Sequence, residues 1–365
     1  MKHIVLTGGG TAGHVTPNLA LIPRLRDLGY RISYIGSYSG IEKQLIEDAG
    51  IPYYGIATGK LRRYRDLKNL SDPFRVVKGL FQAGNLMRKL KPDVVFSKGG
   101  YVAVPVVIAA GRRKIPVITH ESDMTPGLAN RICFPYASKV CCNFPETKEQ
   151  LPEGKAVVTG TPIRPELLRG SAASGRDFCG FDAEKPVLMI MGGSQGSVTV
   201  NEWVRKTLPE LCREFQVIHL CGKGNLDPNL NEMPGYVQYE YIKDELPDLF
   251  ALADVLISRA GANAICEISA LAKPNLLIPL SANASRGDQI LNARSFEKQG
   301  FSMVLEEEEL SEEKLTRAVH DLYINRERYS QAMRNAGHTD SIGVILNLIE
   351  EAAGSDGAQP APAEN

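Results

Sequence analysis

Two short apolar segments of this sequence each lead directly into a glycine-rich turn and then into a helical pattern. The first, Ile4–Thr7, is followed by the turn GGGTAGH, and the second, Val187–Met191, is followed by GGSQGS. Further β-branched runs alternate with longer helical stretches, a pattern typical of parallel sheets covered by helices on both faces. The repeated strand–turn–helix unit therefore predicts an α/β chain in which the same unit begins two separate domains.

The rest of the chain is consistent with two domains of ordinary size, since 365 residues exceed what a single core usually holds. Strands are predicted at His3–Thr7, Ile32–Ile35, Val94–Ser97, Val117–His120, Lys139–Cys142, Ala156–Thr159, Val187–Met191, Gln216–Cys221, Val237–Tyr241, Val255–Ser258, Asn275–Pro279 and Ser302–Leu305. Two prolines near position 163 indicate the boundary. We expect an N-terminal domain over 1–163, a C-terminal domain over 164–340, a helix over 341–353 that packs back on the N-terminal domain, and a disordered tail over 354–365.

Composition excludes several classes of protein. Lys plus Arg and Asp plus Glu both number 42, so no global charge favours a nucleic-acid partner. No apolar run reaches the roughly 20 residues that a membrane-spanning helix needs. The seven cysteines are scattered and form no CxxC pair, which favours buried thiols over a zinc site or disulfides.

The glycine turns are the first candidates for a binding site. A turn of this kind lets the backbone approach a diphosphate or a sugar, and the following helix N-terminus offers N–H donors. A tight strand-to-helix turn needs glycine even without a ligand, and neither turn has the GxGxxG or GxxxxGK[ST] spacing. A third pair, Gly99-Gly100, also follows a strand. Three such turns at the carboxyl ends of strands favour the edge of the sheets as the binding site.

Two polar residues in the second half of the chain suit a nucleotide sugar. Glu267 follows the turn SRAGANAIC and is positioned to accept hydrogen bonds from ribose hydroxyls, although a helix-start acid favoured by the helix dipole explains it equally well. Gln289 begins a further amphipathic helix and has both donors and an acceptor for a sugar hydroxyl.

The motifs GGGTAGHVTP, SKGGYVAVP, HESDMTPGLAN, GTPIR, GGSQGS, SRAGANAICE and DQILNA occur here in a fixed order over residues 1–350. As an ordered set they closely resemble the MurG family of bacterial transferases. The resemblance implies a GT-B fold, with two Rossmann-like domains whose parallel sheets face a cleft. It also implies inverting transfer of N-acetylglucosamine from UDP-N-acetylglucosamine to an undecaprenyl-linked muramyl-pentapeptide acceptor, a step of peptidoglycan synthesis.

The resemblance also assigns roles to individual residues. It places the first glycine turn, with Thr11, Ala12 and Gly13, on the sugar side of the cleft. Arg164 would lie near the nucleotide and Ser194 at the diphosphate. The ribose would contact Glu267, the N-acetylglucosamine hydroxyls Gln289, and the uracil the backbone at Ile242. The family usually has glycine where this chain has Ala12, so the conformation of that turn is open. The chain also has Ser122-Asp123 where many relatives have asparagine, so a sugar contact by Asp123 is only weakly implied.

The reaction requires a general base and stabilisation of the leaving diphosphate. The chain has no DxD motif to hold a divalent metal, so we expect no metal and no cofactor, with loop N–H groups, Ser194 and Arg164 stabilising the charge. His14, at the mouth of the first glycine turn, is the preferred base because an imidazole titrates near neutral pH. Glu121 in the pair His120-Glu121 is the alternative.

A basic segment runs from Lys60 to Lys91. It contains ten Lys or Arg against only Asp66 and Asp72, interleaved with apolar and aromatic residues. By itself this pattern is that of a solvated amphipathic helix. An acceptor on an undecaprenyl tail favours a surface that docks on anionic lipid headgroups, and so a peripheral protein on the cytoplasmic face of the membrane.

Other readings remain open. The nearest are other GT-B enzymes, either a diacylglycerol glycosyltransferase or a sugar-nucleotide epimerase. A nucleotide-sugar binding module without turnover is the alternative from another class, and it predicts that substitution of His14 has no effect.

Overall fold

The computed structural model describes residues 1–59, 72–193, 196–283, 287–337 and 340–354. The chain divides into two compact units. Unit 1 comprises Met1–Pro162 and Thr339–Asn365, and unit 2 comprises Ile163–His338. Each unit has its own sheet and its own hydrophobic core, as the two strand–turn–helix repeats of the sequence predict.

Unit 1 is built on a seven-stranded sheet whose strands are all parallel. In chain order the strands are β1 (His3–Thr7), β2 (Arg31–Ser37), β3 (Tyr53–Ile56), β4 (Val94–Ser97), β5 (Val117–Glu121), β6 (Lys139–Cys142) and β7 (Ala156–Val158). Their spatial order is β3-β2-β1-β4-β5-β6-β7. Strand β1 lies between β2 and β4, with Val5 paired to both Ser33 and Val95, and every residue of β1 is buried.

Helices cover this sheet on both faces. They are α1 (Thr16–Asp27), α2 (Ile41–Asp48), α3 (Asp72–Leu90), α4 (Val104–Gly111) and α5 (Leu128–Cys133). A further helix, α13 (Ser341–Gly354), contacts α1, β4 and β5, and its Ile345 and Ile349 are completely buried in the same core. Residues 355–365, in the predicted tail, lie outside the described residues.

Unit 2 repeats the plan with a six-stranded sheet whose strands are also parallel. Its strands are β8 (Val187–Met191), β9 (Gln216–Leu220), β10 (Tyr236–Tyr239), β11 (Val255–Ser258), β12 (Asn275–Leu277) and β13 (Met303–Val304). Their order is β10-β9-β8-β11-β12-β13. The helices are α6 (Ala172–Cys179), α7 (Val198–Glu214), α8 (Leu246–Leu252), α9 (Ala262–Ala270), α10 (Asp288–Lys298), α11 (Glu312–Ile324) and α12 (Arg326–Ala336).

Strand order reverses direction next to the first strand of each unit. In unit 1 the switch lies between β1 and β4, which are followed by the turns at Gly8–Gly10 and Gly99-Gly100; in unit 2 it lies between β8 and β11. Open parallel sheets bind ligands at such switch points, beyond the carboxyl ends of the strands. The topology therefore places all three glycine turns at ligand-binding edges.

The structure adds one strand to those predicted, the edge strand β3, whose sequence YYGI has a glycine in its interior. Strand β10 begins and ends earlier than the predicted Val237–Tyr241, so Ile242 lies beyond it in irregular backbone. Among the described helices, none combines the length and the apolar character that crossing a bilayer requires.

Candidate functional site

The first glycine turn is shaped by its own backbone. Thr11 is extended and exposed, and Ala12–His14 form a short 3-10 turn that leads into α1. The turn is closed by the His14 N–H, which donates to the Thr11 carbonyl over 3.1 Å, and by the Thr16 hydroxyl, which donates to the Ala12 carbonyl over 3.1 Å. The methyl group of Ala12 is accommodated in this conformation, and Gly13 is half-buried beside it.

A buried carboxylate lies against the inner side of this turn. Glu42, in the first turn of α2, is completely buried, and one of its oxygens accepts the Gly10 N–H over 3.3 Å. Its other oxygen accepts from the N–H and the hydroxyl of Ser37. A Cβ atom at Gly9 would lie 2.7 Å from the Glu42 carboxyl carbon, and one at Gly40 would lie 2.2 Å from its oxygens. These glycines therefore make room for a carboxylate of the protein itself.

His14 is held in one tautomer by the main chain directly after β4. Its Nδ1 lies 3.1 Å from the Lys98 carbonyl oxygen, which only accepts, so Nδ1 carries the proton and a neutral ring has its lone pair on Nε2. Within the described part of the chain, Nε2 makes no hydrogen bond. Burial lowers the pKa of His14 below its usual 6.5 and outweighs the hydrogen bond to the Lys98 carbonyl, so the ring is neutral at pH 7.

Glu121, the alternative base, is occupied by its own loop. One oxygen accepts the N–H groups of Ser122 and Asp123 at 2.8 and 3.0 Å, and the other accepts from Gly127 N and Asn130 Nδ2 at 3.0 and 2.8 Å. Burial raises its pKa, with Asp123 adding in the same direction, while these hydrogen bonds oppose the rise. A carboxylate with four donors organises the loop after β5 and has little capacity to accept a substrate proton.

The second glycine turn opens α7. Ser197 caps that helix by accepting the Val200 N–H over 3.3 Å, so the turn leads into a helix N-terminus with its partial positive charge. A Cβ atom at Gly196 would lie 2.0 Å from the Cys221 carbonyl oxygen, so close packing also requires glycine here. Ser194, predicted to meet the diphosphate, lies outside the described residues.

Arg259 fixes the base of this second turn. Its guanidinium is buried and donates to the Ser197 hydroxyl over 2.6 Å and to the carbonyls of Ile278 and Pro279 over 3.1 Å each. It also forms an ion pair with Glu307. One side chain thus connects the ends of β11 and β12 to the N-terminus of α7.

Arg164 and Glu267 contact each other directly. Arg164 Nη2 lies 3.4 Å from Glu267 Oε1, and their side chains are 30% and 14% exposed. Burial raises the pKa of Glu267, and the neighbouring guanidinium opposes this rise. Both residues belong to unit 2.

The remaining two predicted donor residues lie at the same edge of the unit 2 sheet. The side-chain amide oxygen of Gln289 accepts the Leu280 N–H over 3.0 Å, and its NH₂ group has no hydrogen-bond partner among the residues that the structure describes. The Ile242 side chain packs in the core of unit 2, and its backbone N–H and C=O form no hydrogen bond within the described residues. A free main-chain donor and acceptor suit recognition of a planar base.

Three buried charged residues of the site have no predicted role in the sequence analysis: Glu42, Lys98 and Arg259. Two of them could have been found from the sequence, because Lys98 and Arg259 each directly follow an apolar strand. Charged residues are rarely buried, so one at the end of a buried strand indicates a specific role. Glu42 resembles any acid in the first turn of a helix. Within the described residues, no group of three or more His, Cys, Asp or Glu side chains is arranged to hold a metal ion.

The two halves of the chain match two known domain families. The glycosyltransferase family 28 N-terminal domain matches residues 4–142, and the glycosyltransferase family 28 C-terminal domain matches residues 187–345. A relative from Lachnospira eligens is 65% identical over 96% of this chain and 99% of its own length. One from Clostridium perfringens is 58% identical over 96% and 98%. Both are named UDP-N-acetylglucosamine–N-acetylmuramyl-(pentapeptide) pyrophosphoryl-undecaprenol N-acetylglucosamine transferase.

Solved structures agree with this result. MurG of Acinetobacter baumannii superimposes with a TM-score of 0.76 at 26% identity, covering 96% of this chain and all of that one. The UDP-GlcNAc 2-epimerase of Methanocaldococcus jannaschii, at a TM-score of 0.65, 15% identity and coverage of 96% and 100%, shares the fold alone.

Proposed function

This chain belongs to glycosyltransferase family 28, and from that membership we propose its reaction. It is a hexosyltransferase that moves N-acetylglucosamine from UDP-N-acetylglucosamine to the C4 hydroxyl of MurNAc in undecaprenyl-pyrophosphoryl-MurNAc-pentapeptide. The observation that carries the proposal is the match of 65% identity to a relative of that name over nearly the full length of both chains. The fold is the GT-B fold of these transferases, with two Rossmann-like units.

The donor is assigned to unit 2. Glu267 accepts the ribose hydroxyls, the Ile242 backbone reads the uracil and the Gln289 amide contacts the sugar. Arg164, Ser194 and the N-terminus of α7 stabilise the negative charge that develops on the diphosphate as it leaves, so no divalent cation is needed. The support is that the described members of this set lie in one unit, where Arg164 and Glu267 contact each other.

The acceptor is assigned to unit 1. The Nε2 atom of His14 removes the proton from the acceptor hydroxyl as that oxygen attacks the anomeric carbon, and a single displacement inverts the configuration. The Thr11–Gly13 turn binds the donor, at its sugar. Support for this role comes from the Nδ1 hydrogen bond, which leaves the lone pair on Nε2, and from the lowered pKa, which keeps the ring neutral.

We further propose that α3 docks on a membrane surface. On α3, Phe74, Val77 and Phe81 are 79%, 53% and 72% exposed, and Arg75 and Lys78 are exposed beside them. Aromatic side chains flanked by cations suit shallow insertion among anionic lipid headgroups. The first part of the basic segment, residues 60–71, lies outside the described residues. We place the protein peripherally on the cytoplasmic face of the membrane, where the lipid-linked acceptor is available, and assign it no nucleic-acid partner.

The test is transfer of labelled N-acetylglucosamine from the UDP donor to a short-chain analogue of the lipid acceptor, in the presence of EDTA. We expect a disaccharide-lipid product and stoichiometric UDP. Turnover of the donor without any acceptor would indicate an epimerase, and transfer only to diacylglycerol would indicate the lipid glycosyltransferase. If the donor binds but UDP is released no faster than by hydrolysis in solvent, the chain is a binding module without turnover.

A further inference from the structure

Lys98 has a completely buried side chain at the carboxyl end of β4, directly before the Gly99-Gly100 turn. Its ammonium donates to His120 Nδ1 over 2.7 Å, to the Ser122 hydroxyl over 2.7 Å and to the Thr161 hydroxyl over 3.3 Å. An ammonium is costly to bury, and it is retained in a core only where its hydrogen bonds are satisfied. The three neutral acceptors meet this requirement, because each takes a hydrogen bond from the Lys98 side chain.

His120 is a neutral acceptor in this cluster. Its Nε2 lies 2.9 Å from the Gly160 carbonyl oxygen, so Nε2 carries the proton and Nδ1 presents its lone pair to Lys98. Burial, and then the adjacent ammonium, lower the pKa of His120 well below 6.5. His120 is therefore neutral, and because both of its ring nitrogens are already hydrogen-bonded it is not available as a base.

The main chain of Lys98 also contacts the first glycine turn. Its N–H donates to the Thr7 carbonyl over 2.9 Å, and its carbonyl accepts from His14 Nδ1 over 3.1 Å. A Cβ atom at Gly100 would lie 3.1 Å from the Cδ2 atom of His14, so the turn after Lys98 also packs against the ring. One residue thus binds the ring of His14 through its backbone and introduces a buried charge nearby through its side chain.

Three charged groups act on His14. Glu42 on α2 and Asp123 in the loop after β5 are acidic and raise the pKa of His14, whereas the Lys98 ammonium at the end of β4 lowers it. Without the ammonium, only the burial of the ring would oppose the two carboxylates, which favour the imidazolium, a form that has no lone pair to accept a proton.

We propose that Lys98 is a positioning residue of the transfer reaction, which holds His14 as a neutral imidazole with Nε2 free to accept the acceptor proton. The carbonyl selects the tautomer, and the buried ammonium opposes protonation of the ring. The inference rests on the proposed function, since it takes His14 as the general base, and it adds a residue that does not touch the substrate.

The test compares Lys98→Met, which removes the charge at similar side-chain length, with Lys273→Met. Lys273 is a matched control in unit 2, because its ammonium also donates to internal acceptors, the Ala251 and Ala253 carbonyls at 3.0 and 2.7 Å. Two quantities are measured in the full chain: the pKa of His14 by NMR titration of labelled histidine, assigned with His14→Gln, and the pH profile of kcat/KM.

In Lys98→Met we expect the pKa of His14 to rise by about half a unit or more, because an opposing charge is lost. The acid limb of the pH profile should move upward with it, and Lys273→Met should move neither quantity. An unchanged pKa of His14 in Lys98→Met would overturn the inference. A second outcome is that the pKa of His14 rises in Lys98→Met, but kcat/KM does not follow the titration of His14 even in the parent protein. His14 would then not be the general base, while the effect of Lys98 on His14 would be confirmed.

A measurement on the parent protein covers the case in which Lys98→Met does not fold. Nitrogen chemical shifts distinguish the two neutral tautomers of histidine. We expect the proton on Nδ1 in His14 and on Nε2 in His120. The opposite tautomer in His14 would mean that the Lys98 carbonyl does not orient the ring, and it would contradict the inference without any variant.

Discussion

Arg164 Nη2 lies 3.4 Å from Glu267 Oε1, so two residues assigned to different parts of the donor form one ion pair in unit 2. The Nε atom of Arg164 is buried and has no hydrogen-bond partner within the described residues. Partly buried charges that contact each other do not contribute independently to binding. Recognition of the ribose and of the diphosphate should therefore be coupled through this pair.

Glu267→Ala should weaken UDP binding by roughly 1.5–3 kcal/mol, because hydrogen bonds to a charged group are lost. Isothermal calorimetry measures this directly. The matched experiment is a double-mutant cycle with Arg164→Ala, in which the combined loss should be smaller than the sum of the single losses. Unchanged UDP affinity in Glu267→Ala would remove this residue from the donor site.

His14→Ala should lower kcat by about 10²–10⁴ while UDP affinity stays nearly constant, as expected for loss of a general base. Because the folded pKa of His14 lies below 6.5, its base form predominates above that pH. Activity should fall only as the pH drops through the lowered pKa. A loss confined to the KM of the donor would make His14 a binding residue.

Activity should survive EDTA, because loop N–H groups, Ser194 and Arg164 are assigned to the charge of the leaving diphosphate. Initial rates with EDTA and with added Mg²⁺ provide the comparison, and they should agree within a factor of about two, well under 1 kcal/mol of activation free energy. Abolition by EDTA with rescue by Mg²⁺ would contradict the assignment.

Replacing Phe74 and Phe81 with serine should reduce binding to anionic vesicles, since these side chains are largely exposed on α3. Co-sedimentation at low salt measures binding. Ile324→Ser is a matched control, because Ile324 is 61% exposed on α11 of unit 2. Transfer to a water-soluble acceptor should be unaffected in all variants. If the double variant and the control co-sediment with vesicles equally, the exposed side of α3 is an ordinary solvated helix face.

Unit 2 should lose stability in acid through His219. Its Nδ1 and Nε2 contact the Tyr236 hydroxyl and Asn201 Oδ1 at 3.0 and 2.9 Å, and burial lowers its pKa to about 3. Below 6.5 the unfolded chain binds a proton that the folded chain excludes, so the free energy of unfolding falls by about 1.4 kcal/mol per pH unit between the two pKa values. Urea unfolding between pH 7.5 and 5 should show a shallower pH slope in His219→Gln, which keeps a donor and an acceptor. An identical slope would show that folding does not lower the pKa of His219.

The local sequence pattern was sufficient to predict the strands at the centre of each sheet. The runs at β1 and β8 are apolar and nearly completely buried, so their predicted bounds agree with the structure. The edge strand β3 was missed because Gly55 interrupts it and its tyrosines are only half-buried. Local sequence pattern could not predict the long-range contacts of the site. Glu42 accepts from Gly10, 32 residues away in the sequence, and Lys98 donates to Thr161, 63 residues away. The motifs predict which edges of the sheets bind the ligand, whereas the buried charges behind those edges depend on the tertiary fold.

The carboxylate of Glu42 has a consequence for how this sequence can change over time. Glycines of β2, of the turn before α2 and of the first glycine turn surround it so closely that a Cβ at any of them would meet its side chain within 3.0 Å; these are Gly36, Gly40 and Gly9. Gly40 depends on the acid alone, since its three nearest atoms all belong to Glu42, whereas a Cβ at Gly36 would also meet the Tyr53 hydroxyl at 2.3 Å and Gly9 has a φ of +159°. A shorter residue at position 42 would therefore release only Gly40 from that requirement. We expect substitutions at Gly40 to be tolerated only in lineages that have already lost the carboxylate.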